Sequence, residues 1–337
     1  MLFLINSNKM FFFFILFFST MISISSNSWL GCWIGLEINL LSFIPLISNP
    51  NNLLNSEASL KYFLTQSIAS INFLFSILLK LLFLKNFFFN DLFSVMINSS
   101  LLMKMGSIPF HFWFPNIMEG LSWLNCFILM TWQKISPMIL LSYYLNIYFI
   151  SIIMIFNCII GVIGSFNQNS IRKLMAFSST NNLGWMLSSL MISESIWLLF
   201  FSMYSFLTMI MCYMFYLINI FFINQLFNFN MNFFLKIFIL INFLSLGGLP
   251  PFLGFFSKWM VINFLIMNNL FIISFFFIMS SLILIFVYIR IIYSSLLFYS
   301  FKLKWFKIFI KNKHIIFINF LSFISLTGMI FSTFFFI

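Results

Sequence analysis

Charge is scarce in this chain of 337 residues: 6% are charged and only five are acidic. An ordinary soluble domain carries about 25% charged residues, so a water-facing globular fold is excluded. No polar stretch is long enough to fold as a separate soluble domain. Cysteine is equally sparse. Cys32, Cys126, Cys158 and Cys212 all fall in apolar runs, and none forms Cys-x-x-Cys. Iron–sulfur and zinc sites need closely spaced Cys or Cys/His sets, so the four are read as small buried hydrophobes. With only His111 and His314 present, a paired-haem site is not expected. Gly-x-Gly-x-x-Gly and phosphate-loop motifs are missing, and no Ser/His/Asp arrangement is evident. Direct redox catalysis therefore has no visible residues here. No Arg-rich transit peptide or cleavable signal is recognisable before the apolar run that starts near Met10. Alternating ten-residue strand patterns are absent too, which argues against a β-barrel.

What is present is apolar surface. Hydrophobic residues make up 63% of the chain and the mean hydropathy is +1.12. Each spanning helix needs about 20 apolar residues, and the pattern predicts about eleven. They cover 8–26, 29–48, 58–84, 91–114, 120–142, 146–166, 171–192, 195–222, 233–257, 264–298 and 314–336. The expected fold class is an all-α polytopic membrane protein. The net charge of +11 does not imply nucleic-acid binding, because the basic residues are spread through segments and loops. Lys9, Arg172, Lys173, Lys236 and the cluster Lys302, Lys304, Lys307, Lys311 and Lys313 share one side. Lys80 and Lys85 mark the other. The positive-inside rule makes the first side the interior one.

Two predicted helices carry breaks. Lys104-Met-Gly-Ser-Ile-Pro109 interrupts the fourth and Leu246-Gly-Gly-Leu-Pro-Pro251 the ninth. Proline removes a donor and clashes with the preceding turn. Freed carbonyls at membrane depth survive only against protein or a water-lined cavity. The breaks lie five helices apart, which fits inverted halves at 8–142 and 146–298, a basic loop at 299–313 and a last helix at 314–336. Matching interruptions in inverted halves point to a transporter's ion path. Two unrelated proline kinks are the alternative.

The remaining charges define the candidate site. Glu37 lies at the centre of an apolar run, where a carboxylate is expensive. Gly31 and Gly35 before it allow another helix to approach closely. Lys104 and Lys134 lie mid-helix, several turns from where snorkelling would carry them to water. Burial disfavours the charged forms and pairing favours them, so a Glu/Lys pair that forms and breaks can pass protons. A static ion pair is the alternative. Lys258 follows the second break and is either intramembrane or interfacial. His111 is a candidate relay between Lys104 and an aqueous edge, or a hydrogen-bonded packing residue. Glu57 and Lys61 are spaced as a helix-surface pair. Arg172 and Lys173 read as an interfacial anchor, and Arg290 as a snorkelling residue.

Several segments carry a family resemblance. They are Trp33-Ile-Gly-Leu-Glu-Ile-Asn-Leu40, Glu57-Ala-Ser-Leu-Lys-Tyr-Phe63, Lys104-Met-Gly-Ser-Ile-Pro-Phe-His-Phe-Trp113 and Gln133-Lys-Ile-Ser-Pro137. Further on come Ser170-Ile-Arg-Lys-Leu-Met-Ala-Phe-Ser-Ser179 and Gly247-Gly-Leu-Pro-Pro-Phe-Leu-Gly-Phe-Phe-Ser-Lys-Trp259. In this order they resemble the antiporter-like, proton-translocating membrane subunits of mitochondrial NADH–ubiquinone oxidoreductase, respiratory complex I. Short length and the Glu57–Phe63 segment favour the chain 2 type over the longer chains 4 and 5. The resemblance implies a polar axis through Glu37, Lys104, Lys134 and Lys258, with proton movement coupled to quinone reduction elsewhere. It implies no cofactor in this chain, and FMN, iron–sulfur clusters and ubiquinone in other subunits. Implied partners are other membrane-arm subunits and inner-membrane lipids including cardiolipin. The expected location is the mitochondrial inner membrane, N-terminus to the matrix and C-terminus to the intermembrane space. Phe occurs 56 times and Ala only at Ala58, Ala69 and Ala176. That skew fits an AT-rich genome such as an animal mitochondrial one, and an insect in particular. An independent cation/proton antiporter and a non-transporting membrane scaffold are the competing readings.

Overall fold

The computed structural model describes residues 7–49, 51–83, 90–228, 233–297 and 312–333. Every regular element among them is a helix; an isolated bridge between Ser170 and Phe222 is the extended pairing. The chain divides into two compact units, Met1–Ile153 and Met154–Ile337. The boundary falls within α8 (Ile147–Ser165).

The first unit holds α1 (Ser7–Ser25), α2 (Trp29–Ile47), α3 (Leu53–Leu82), α4 (Asn90–Met105), α5 (Trp113–Gly120), α6 (Trp123–Met130) and α7 (Trp132–Ser142). Ser28 starts α2 by accepting a hydrogen bond from Gly31 N at 3.2 Å, which satisfies one of the four free donors of a helix start. The Gly31/Gly35 spacing acts as the sequence predicts. A Cβ on Gly35 would lie 2.7 Å from Ser23 N, so α1 packs backbone to backbone on α2. Around these, α3 packs on α2, α4 and α5, and α7 packs on α1 and α4.

The second unit continues with α9 (Ile171–Ile192), α10 (Glu194–Ile218), α11 (Ile223–Asn228), α12 (Phe233–Gly247), α13 (Leu253–Met267), α14 (Phe271–Leu297) and α15 (Asn312–Thr333). Here α9 is buried nearly all round although it carries Ser178, Ser179, Thr180, Asn181, Ser188 and Ser189. Its serines return their hydroxyls to carbonyls three residues back, at 2.7–2.8 Å. That self-satisfaction lets a polar helix sit in an apolar interior. Packed against α9 are α10, α13 and α14, while α12 touches α10, α13, α14 and α15.

Seven helical segments among the described residues are long and apolar enough to span a membrane, and three shorter apolar helices accompany them. These ten segments do not establish the predicted count of about eleven. The fourth predicted span, 91–114, ends at Met105 and resumes as α5. The ninth, 233–257, becomes α12 and α13, with the second piece reaching Met267. Both breaks pass through a glycine with positive φ, Gly106 at 72° and Gly248 at 85°. Most of the basic loop, including Lys302, Lys304, Lys307 and Lys311, lies outside the described residues, as does Lys85.

Candidate functional site

In the first unit the site forms at the α4–α5 break. Three of the carbonyls freed there are taken by protein groups. Leu102 O accepts from Ser107 Oγ at 3.0 Å and Ser107 N at 3.1 Å. Met103 O accepts from Trp113 Nε1 at 3.2 Å. Lys104 O accepts from Gln66 Nε2 of α3 at 3.1 Å. Such closure keeps irregular backbone tolerable at membrane depth.

Lys104 itself is 7% exposed. It lines a small pocket with Leu36 and Asn39 of α2, Tyr62 of α3, and Gln133 and Ser136 of α7. A chain of polar groups crosses that pocket. Tyr62 donates its hydroxyl to Gln133 Oε1 at 3.4 Å, and Gln133 Nε2 donates to Asn39 Oδ1 at 3.1 Å. Glu37 is half-buried two residues before Asn39. It forms no direct ion pair with Lys104 among the described residues. Lys134 is 1% exposed, with Nζ 5.1 Å from the centroid of the Phe114 ring. His111 sits between the break and α5 at 6% exposure. Its ring lies 4.2 Å from that of Phe112.

The second unit builds a similar corner from its own residues. Lys258 lies in the second turn of α13 and is 6% exposed. Its Nζ donates to Gly247 O, a carbonyl freed by the α12–α13 break, at 2.6 Å. A Cβ on Gly248 would meet Lys258 Cδ at 2.9 Å, so the glycine makes room for the lysine stem. Trp185 of α9 faces the ammonium at 5.7 Å. Such an arrangement stabilises a cation through the ring quadrupole.

The pair Glu57–Lys61 forms as its spacing predicts. Lys236, near the start of the ninth predicted span, is buried in α12 and donates to Ser295 O. Arg172 packs its guanidinium 4.5 Å from the Phe221 ring centroid. Sequence reasoning did not assign Gln66, Tyr62, Gln133 or Trp185 to the site. An amide or phenol on an otherwise apolar helix was the available signal, since hydrocarbon leaves such groups needing a protein partner.

Buried lysines beside two interrupted helices define an antiporter-like polytopic membrane protein. Residues 26–284 match the family model described as NADH:quinone oxidoreductase/Mrp antiporter, transmembrane. Chain 2 of NADH–ubiquinone oxidoreductase from Anopheles gambiae is 52% identical over 296 residues, covering 86% of each chain. The Aedes aegypti chain 2 is 49% identical over 333 residues, covering 96% of each. Among solved structures, a chain of respiratory complex I from Thermus thermophilus has a TM-score of 0.80 at 17% identity, covering 97% of this chain and 79% of that one. A chain of the Mrp complex from Dietzia has a TM-score of 0.73 at 13% identity, covering 82% of this chain and 58% of that one. This chain belongs to the NADH–ubiquinone oxidoreductase chain 2 family.

Proposed function

We propose that this chain is a core membrane-arm subunit of respiratory complex I that moves protons across the mitochondrial inner membrane. Glu37, Lys104, Lys134 and Lys258 act as a proton relay driven by electron transfer from NADH to ubiquinone in other subunits. His111 links the Lys104 region to an aqueous edge. The observation that carries the reading is Lys104, buried at a helix break beside the Asn39–Gln133–Tyr62 chain, with Glu37 two residues before Asn39 on α2. A buried lysine changes protonation readily, as arginine does not. The polar chain supplies neighbours that accept and donate. The matching Gly/Pro spacing of the two breaks supports inverted halves at 8–142 and 146–298. The sidedness of Arg172, Lys173 and Lys236 supports an N-terminus in the matrix and a C-terminus in the intermembrane space. Flanking membrane-arm chains and cardiolipin are the proposed partners. The redox groups FMN, iron–sulfur clusters and ubiquinone belong to other subunits.

The test is the assembled complex carrying Lys104→Met. Normal assembly with proton flux per NADH reduced about tenfold or more is the expected result. Normal assembly with normal flux removes Lys104 from the relay. Migration of the native chain alone, away from NADH-oxidising activity on a size-separating gel, would instead favour the independent antiporter.

A further inference from the structure

The second unit has an unusual charge imbalance. Residues 154–337 contain one acidic residue, Glu194, against Arg172, Lys173, Lys236, Lys258, Arg290 and the lysines of the last loop. Glu194 follows the far end of α9, whose 22 residues separate it from Arg172 by about 33 Å. No carboxylate of this unit is therefore near the start of α9.

That end of the unit contains a cavity of about 230 Å³, large beside the roughly 30 Å³ that one water occupies. Ser165, Gln168, Asn169, Asn224, Arg290 and Ser294 supply its polar lining. Arg290 is exposed and makes no ion pair among the described residues. Below it on α14, Phe286, Ile283 and Met279 are exposed at steps of three and four, one stripe of the helix surface. On α8, Ile163 and Phe156 are exposed as well, and the Phe166 and Phe286 rings lie 6.5 Å apart between the two helices. From Arg290 to Met279 is about 16 Å along α14, half the roughly 30 Å hydrocarbon core.

We propose that this cavity and stripe form a binding site for one anionic phospholipid. Arg290 and the surrounding amides and hydroxyls hold its phosphate, and the acyl chain lies along Phe286, Ile283 and Met279. A guanidinium suits a phosphate because its fork of donors matches the oxygen geometry. The Arg290 charge, with no ion pair to it among the described residues, favours an anionic head over a zwitterionic one. The proposal rests on the membrane-subunit reading above.

The test uses the native complex in membranes, with photoactivatable phosphatidylglycerol compared with the phosphatidylcholine analogue. Labelled peptides are mapped by mass spectrometry, and NADH oxidation is followed on the same size-separated complex. That activity checks the membrane-subunit reading independently of labelling. We expect labelling at 156–166 and 279–286, about fivefold stronger with the anionic probe. Arg290→Gln should reduce the anionic signal to the zwitterionic level while NADH oxidation is retained. Equal labelling by the two probes, labelling confined to other segments, or full preference in the variant overturns the proposal. Loss of the preference in millimolar inorganic phosphate assigns the cavity to a free anion and overturns it too. If the variant fails to assemble, the comparison of probes on the unaltered complex decides.

Discussion

At the scale of single residues, the site is held by hydrogen bonds that leave little slack. Lys104 O depends on one donor, Gln66 Nε2. Gln66→Leu keeps the volume and removes the donor, leaving a buried carbonyl unsatisfied. Such a loss costs about 1–3 kcal/mol, and the expected outcome is a lower thermal inactivation temperature of the complex. Replacing Gln133 by leucine cuts the polar chain at its centre, since Gln133 joins Tyr62 to Asn39. Proton flux per NADH should fall while assembly persists; unchanged flux would remove this chain from the proposed path. Glu37, Lys104 and Lys134 were legible in the sequence because charge in an apolar run has few innocent explanations. Gln66 and Tyr62 were not, since an uncharged polar side chain in a helix takes its meaning from the helix packed against it.

Among the elements, the two breaks and the α1–α2 contact are the sensitive places. Gly248 has φ of 85° and lies under the Lys258 stem. Gly248→Ala should cost about 1–2 kcal/mol from the left-handed backbone alone, and the new methyl displaces Lys258 from Gly247 O. The measurable result is weaker assembly together with altered proton flux. A change in neither would mean that the turn relaxes freely. Gly35→Val forces α1 away from α2, an overpacking worth about 1–3 kcal/mol, read as a faster loss of the assembled complex on heating. Proline and glycine positions told where these helices break. They did not tell where each helix resumes: α13 runs to Met267, whereas hydropathy alone ended the segment at 257. Hydropathy averages over a window, so it smooths a break and the following helix into one run.

For the molecule as a whole, the helical class followed from the near absence of charge, because only helices and closed barrels satisfy backbone groups in lipid. The number of spans was less legible. A short segment such as α5, eight residues long, is packed against α3 rather than spanning alone. The partner of Lys236 was not legible for a related reason: the lysine opens an apolar helix, and Ser295 lies 59 residues away in sequence. Sidedness gives a prediction at this scale. A membrane-impermeant amine reagent should modify Lys9 in inverted inner-membrane vesicles, with the matrix face outward, and spare it in intact mitoplasts. The opposite pattern would reverse the proposed topology.

The self-bonded serines and the two breaks together imply an order of assembly. Most helices satisfy their own polar groups, so they can leave the insertion machinery one by one. The breaks cannot. Lys104 O takes its donor from Gln66, 38 residues earlier, but Met103 O takes one from Trp113, ten residues later, and Gly247 O one from Lys258, eleven residues later. Each break therefore closes only when the segment on its far side has followed it into the membrane, so the two halves of a broken helix are expected to insert as one unit.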